Sequence, residues 1–195
     1  MRRWLLVVLL GLVTCSSGTV VPQTPETEKF GVEAIPPYNR DEWGRWIDVD
    51  KDCQNSRAEV LIEESAVPVT FTTENKCAVA TGQWTCPYTG AVVTSATLLD
   101  IDHVVALEEA HNAGGWRWTK EQKLAYANDT TNPLHLVAAT ASANRSKGAR
   151  PPTEWLPTDP TKRCAYLKAR VIVLEKWGLA LDCGLYVRLI SENCR

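Results

Sequence analysis

The stretch Asp100-Ile101-Asp102-His103-Val104-Val105 constrains this chain more than any other. Leu98, Leu99 and Ile101 are apolar and read as a short buried strand, with Asp102 and His103 at or near its end. A carboxylate beside an imidazole sets a hard oxygen ligand and a titratable base within one residue of each other. A second stretch, Asn132-Pro133-Leu134-His135-Leu136-Val137, contains another short strand, Leu134 to Ala138. A third, Asn144-Arg145-Ser146-Lys147-Gly148, follows the polar run from Thr140 and reads as a short helix ending near Gly148. A carboxamide oxygen on that helix would complete a metal site facing the first strand, with Arg145 and Lys147 as positive charge beside it.

The order D-x-D-H, N-x-x-L, N-R-x-K-G resembles the HNH endonucleases, and especially the HNH domain of RNA-guided DNA nucleases. More narrowly, D-x-D-H-V-V-x-L, a Trp, A-N-D-x-x-N, N-x-S-K-G and P-x-x-W-L-P follow one another from Asp100 to Pro157. That series is similar to small secreted HNH-family proteins of bacteria and fungi, related to the nuclease domain of modification-dependent restriction enzymes. The similarity runs from about Tyr38 to Gly178.

The resemblance implies an α+β fold. It would be a single disulfide-stapled domain built around a ββα-metal motif, with flanking helices and a small antiparallel sheet. It implies a metal-dependent endonuclease that leaves 5′-phosphate ends, acting on nucleic acid, with DNA favoured over RNA. Neutral His103 would deprotonate water, while Asp102 and Asn144 hold one Mg²⁺ or Mn²⁺; Zn²⁺ suits this oxygen set less well. The rate would rise with pH as His103 loses its proton. The resemblance gives Asn132 an orienting role, bonding backbone or the His103 ring. Arg145 and Lys147 would dock phosphate or stabilise its added charge. It also favours a Cys53–Cys77 disulfide, because the similar region pairs a helix start with a following strand.

Each of these residues has a plainer reading. His103 as a core histidine bonded to Asp100, Asp102 as a helix cap, Asn132 as an Asx turn and Asn144 as a helix-end residue all fit local rules. Two other functional classes stand beside the nuclease. One is a secreted, disulfide-stabilised binding protein on a degenerate HNH scaffold. The other is a zinc hydrolase, against which stands the lack of H-E-x-x-H or similar spacing.

The rest of the chain fits an exported protein. Residues 1–18 read as a signal peptide, with Arg2 and Arg3 before the short apolar run Trp4 to Val13. Leu12-Val13-Thr14-Cys15 also resembles a bacterial lipobox, so a cell-surface lipoprotein anchored at Cys15 is the alternative to a secreted form. No later segment is long and apolar enough for a transmembrane helix. Residues 19–37, with four prolines, read as a flexible linker, and residues 38–195 as the nuclease-type domain, expected to be a monomer. Without Cys15, six cysteines remain, an even set lacking C-x-x-C spacing, which suggests disulfides over zinc. Asp48, Asp50 and Asp52 alternate as in a calcium loop but lack its glycine and distal glutamate, and read as a solvated acidic turn.

The formal charge of −2 argues against a protein that coats nucleic acid indiscriminately. The charge is uneven, however: −7 over residues 18–100 and +3 over 101–195. Arg145, Lys147, Arg150, Lys162, Arg163, Lys168 and Arg170 concentrate positive charge near the third motif, enough to contact phosphates locally or simply to solvate a helix face.

Export predicts a mature protein that lacks Met1 and contains disulfides. Mass spectrometry of culture supernatant and membrane fractions, with and without reduction, tests this; a cytosolic form with all thiols free would refute it.

Overall fold

A computed structural model describes residues 34–194. The proposed signal peptide, Cys15 and residues 19–33 of the linker lie outside the described residues. Residues 34–37 have no regular secondary structure, and the Pro36 carbonyl accepts a 2.7 Å hydrogen bond from His111 Nε2.

The fold is α+β. Strands β1 (Thr70–Phe71), β2 (Val79–Thr85) and β3 (Val92–Ser95) form one antiparallel sheet in that order. Strands β4 (Leu99–His103) and β5 (Leu136–Thr140) form a separate antiparallel ribbon, paired from Leu99 opposite Thr140 to His103 opposite Leu136. Helix α1 (Ser56–Glu64) precedes the first sheet, and its cap is Asn55, whose side chain accepts from the Ala58 N–H. Helices α2 (Leu107–Asn112) and α3 (Lys120–Ala127) are inserted between the two strands of the ribbon. Thr119 and Gln122 close a capping box on α3. Helix α4 (Ala141–Lys147) starts directly where β5 ends, and Gly148, at φ 55°, stops it. Helices α5 (Pro160–Lys176) and α6 (Cys183–Asn193) complete the chain.

The ribbon separates two cores, and this is what positions the site. Alternation along a strand sends successive side chains to opposite faces. Leu99, Ile101, Leu136 and Ala138 enter a core with Ala58, Leu61 and Trp84. The indole N–H of Trp84 donates to the Leu61 carbonyl at 2.8 Å, which ties α1 to β2. On the opposite face Val137 and Ala139 meet the larger core around Tyr88, Ala143 and Leu167. Asp100 and Asp102 share that second face and therefore look towards α4.

Several expected boundaries shift for visible reasons. Helix α2 starts only at Leu107, because Val104 N–H still pairs with the His135 carbonyl at 3.0 Å. The second motif strand begins at Leu136, since Asn132 to His135 forms a turn. Disulfides join Cys53 to Cys77, as the resemblance implied, and Cys164 to Cys194, linking α5 to the end of α6. The expectation that every cysteine beyond the leader is paired is corrected at Cys86, a buried free thiol. No helix among the described residues is long and apolar enough to cross a membrane.

Arg170 on α5 is fully buried and holds four partners. It donates to Tyr186 Oη at 2.9 Å, Tyr166 Oη at 3.1 Å and the Val104 carbonyl at 3.0 Å, and it pairs with Glu109. It is therefore structural, and the sequence patch loses one of its expected surface charges. Removing one partner of a buried pair strands the other charge. Arg170→Met should lose about 3–5 kcal/mol of stability in urea denaturation, and Arg170→Lys should recover little because one ammonium cannot span the same acceptors.

Candidate active site

Among the described residues β4 has no strand on its outer edge, and side chains from both of its faces reach one cleft. Trp46, Asp102, His103, Asn144, Arg145 and Gly148 are among its lining residues. The cleft brings together four of the six residues that the motifs single out: Asp102, His103, Asn144 and Arg145.

His103 is 8% exposed, and its Nε2 lies 3.0 Å from the Ala127 carbonyl. A carbonyl only accepts, so Nε2 carries the hydrogen and Nδ1 is left as the acceptor. The ring lies parallel to Trp46, with centroids 5.5 Å apart, and to Tyr126 at 6.1 Å. His135 meets its edge at 5.7 Å. Burial drives the His103 pKa down to about 3, so the ring is neutral over the whole ordinary pH range. Any titration of this ring therefore falls well below where an unperturbed imidazole would place it.

Asn132 stands elsewhere. Its side chain accepts from Leu134 N–H at 3.0 Å and its carbonyl accepts from His135 N–H at 2.9 Å, an Asx turn. It lines a different cavity, with Glu59 and Glu63 of α1. Of the two bonds the resemblance implied for Asn132, to backbone or to the His103 ring, the structure has the one to backbone, and the ring is held by the Ala127 carbonyl. Asn132 bears on His103 only through the turn that delivers His135.

Asp102 is 5% exposed and both its oxygens are engaged. Oδ2 accepts from the Tyr88 hydroxyl at 2.5 Å and Oδ1 from Lys147 Nζ at 3.0 Å. Burial raises the Asp102 pKa above its usual value, opposed by the charge of Lys147 and the Tyr88 hydrogen bond. Lys147 is itself 0% exposed and also donates to the carbonyls of His103 at 2.9 Å and Gly148 at 3.4 Å. The expectation that Lys147 touches substrate is thus corrected: its ammonium is spent inside the protein. Arg145, one turn position away, is exposed on the cleft and makes no ion pair among the described residues.

Asn144 donates through Nδ2 to Asp100 Oδ2 at 3.0 Å, and its carboxamide oxygen has no hydrogen-bond donor among the described residues. Asp102 keeps one lone pair on each oxygen after its two bonds. These are hard oxygen donors, few in number, beside a solvent-filled cleft. That matches a small divalent cation that retains several waters. A divalent cation bound here would find Asp102 and Asn144 as its protein oxygen donors.

Sequence reasoning missed three supports. Trp46 flanks the His103 ring, and Tyr88 fixes Asp102. Asn128 accepts from Ile47 N–H at 3.0 Å and Ser56 Oγ at 2.9 Å, and donates to the Arg45 carbonyl at 3.0 Å. It thereby anchors both sides of Trp46. Only Asn128 had a signal, as part of A-N-D-x-x-N; Trp46 and Tyr88 lie far from the motifs in sequence.

The family described as GmrSD restriction endonucleases, C-terminal domain, matches residues 56–181. An uncharacterized secreted protein of Arthroderma benhamiae is 34% identical over 163 residues, covering 84% of this chain and 73% of the relative. No solved structure matches.

The ribbon that carries the site is held by two groups of opposite pH behaviour. Glu64 Oε2 accepts from Ala138 N–H at 2.8 Å, and burial pushes its pKa up to about 7. Its contribution is complete below the unfolded value near 4.5 and is lost as pH rises through about 7. His135, fully buried, has its pKa pushed down by burial to about 4. Its contribution is complete above about 6.5 and is lost as pH falls through about 4. Glu64→Gln should therefore gain about 2–3 kcal/mol over the parent at pH 8 and nothing at pH 4, read from urea midpoints. A gain that does not vary with pH would refute it.

Proposed function

The chain belongs to the GmrSD restriction endonuclease C-terminal domain family of HNH-type proteins, and from that membership we propose that it is a secreted, metal-dependent endonuclease that hydrolyses phosphodiester bonds in DNA. The observation that carries the reading is the placement of His103: its ring is fixed through Nε2, which leaves Nδ1 to accept a proton in the cleft shared with Asp102 and Asn144. His103 takes a proton from the attacking water at Nδ1. Ala127, Trp46 and Tyr126 keep the ring from turning, so it meets the water already oriented. Asp102 and Asn144 would hold one Mg²⁺ or Mn²⁺. That ion, when bound, supplies charge neutralisation at the phosphate and the leaving oxygen. Arg145 docks a phosphate from the rim of the cleft. Contacts of that kind position the chain and do not read bases. The enzyme acts as a monomer after removal of its signal peptide, with a lipoprotein anchored at Cys15 as the alternative form.

One observation favours a second reading. Lys147 already neutralises Asp102 inside the protein, as expected of a binding protein on an HNH scaffold that no longer uses metal. Purified protein incubated with plasmid DNA in Mg²⁺, Mn²⁺ or EDTA separates the two. Cleavage that EDTA abolishes supports the nuclease; no cleavage with any metal supports the scaffold.

General-base catalysis contributes about 10²–10⁴-fold, so His103→Ala should lose roughly that much turnover while retaining DNA binding. His111→Ala is the control, since His111 does not line the cleft and instead bonds the Pro36 carbonyl and meets Tyr38 edge-on. Near-normal turnover by His103→Ala would overturn the assignment.

A further inference from the structure

Lys147 stands in the middle of the site, bonded to Asp102, and the proposed reaction gives it nothing to do. It is 0% exposed, and its three acceptors, Asp102 Oδ1, the His103 carbonyl and the Gly148 carbonyl, use its three protons. It cannot reach a phosphate without abandoning all three. Two of these acceptors are the side chain of Asp102 and the backbone of His103, so Lys147 joins α4 to the end of β4 where the chemistry lies.

We propose that Lys147 is an internal counter-ion for the metal-binding carboxylate: it keeps Asp102 in place while the ion is absent and weakens the ion's hold when it is present. The inference rests on Asp102 being a ligand, as proposed above. Asp100, Asp102 and Lys147 together carry one net negative charge, and without Lys147 they would carry two. A divalent ion on Asp102 would share that carboxylate with the ammonium, and like charges so close repel in a low-dielectric interior. In the metal-free state the balance reverses. A carboxylate that is 5% exposed with no cation beside it destabilises the fold. Tyr88 contributes to the same end, since its hydroxyl bonds Oδ2 and stops the carboxylate from turning away from Lys147. The consequence is a site assembled before metal arrives, with an ion that exchanges readily. Lys147 is thus a positioning residue that sets affinity.

The test uses Lys147→Met, which keeps the length of the side chain and removes its charge. Mn²⁺ binding is measured by electron paramagnetic resonance, and melting is followed in EDTA and in Mn²⁺. The variant should bind Mn²⁺ at least about tenfold more tightly than the parent, because a nearby repulsive charge is gone. Its melting temperature should be low in EDTA and should rise with Mn²⁺ by more than the parent's does. An unchanged or weaker affinity, with the same loss of melting temperature in both conditions, would mean that Lys147 is merely structural. Should the single variant fail to fold, Asp102→Asn with Lys147→Met leaves no buried charge unpaired. It should bind Mn²⁺ more tightly than Asp102→Asn alone, and equal binding overturns the proposal. A parent that cleaves DNA while Lys147→Met shows unchanged affinity sinks this inference and leaves the nuclease intact. A parent that neither cleaves nor binds Mn²⁺ sinks the nuclease reading, and this inference then survives only if Lys147→Met gains Mn²⁺ binding.

Discussion

The ion pair between Lys147 and Asp102 is the contact on which the site depends. It joins the last residue of α4 to the fourth residue of β4, and both partners are shielded from water. The pair fixes the separation of the helix from the ribbon. Asn144 then lies one helical turn back along α4, on the same face as Lys147, where it meets Asp100 two residues back along β4. Helix spacing and strand spacing are thus matched across the interface. Replacing either period would separate the pairs. The motif N-R-x-K and the motif D-x-D are, in physical terms, two halves of this one match.

The ribbon solves a second problem, which is to put a charged carboxylate and a neutral imidazole side by side. Adjacent strand residues point to opposite faces, so Asp102 and His103 enter different surroundings. Asp102 receives a cation and a hydroxyl. His103 receives aromatic rings and a carbonyl, an apolar environment that keeps it uncharged. The free edge of β4 is where the two environments open to a common cleft. A third strand along that edge would cover it. The limitation of the ribbon to two strands is therefore part of how the site works.

Local rules made the secondary structure legible. The short helix α4 and its stop at Gly148 were readable because a glycine after a polar run meets a backbone requirement that a side chain would oppose. The ordered motifs made the cleft legible as well, down to Asp102, His103, Asn144 and Arg145. The roles of Lys147 and Asn132 were harder, because charge and polarity say what a side chain can bond to but not where it points. Lys147 reads as a surface cation until α4 is laid on the ribbon. Asn132 reads equally as an orienter or a turn until the Ala127 carbonyl is seen to occupy the His103 ring.

Long-range contacts explain what sequence could not reveal at all. Tyr88 comes from the turn between β2 and β3, and Trp46 from a segment before α1, yet both touch the motif strand. Neither is marked by spacing, because each contact is set by how separate elements pack and not by a fixed offset along the chain. Trp46 also depends on Asn128, which secures the backbone on either side of it from the end of α3. The inserted helices α2 and α3 thus do more than fill the gap between β4 and β5. The same short segment, residues 126–128, supplies the aromatic face beneath His103, the carbonyl that fixes its tautomer and the amide that holds its other stacking partner. Orientation of the His103 ring is therefore built into the backbone of the insertion, where a side-chain substitution cannot remove the bond that sets the tautomer. That arrangement makes the geometry of His103 less dependent on any one side chain than the geometry of Asp102, which needs both Tyr88 and Lys147.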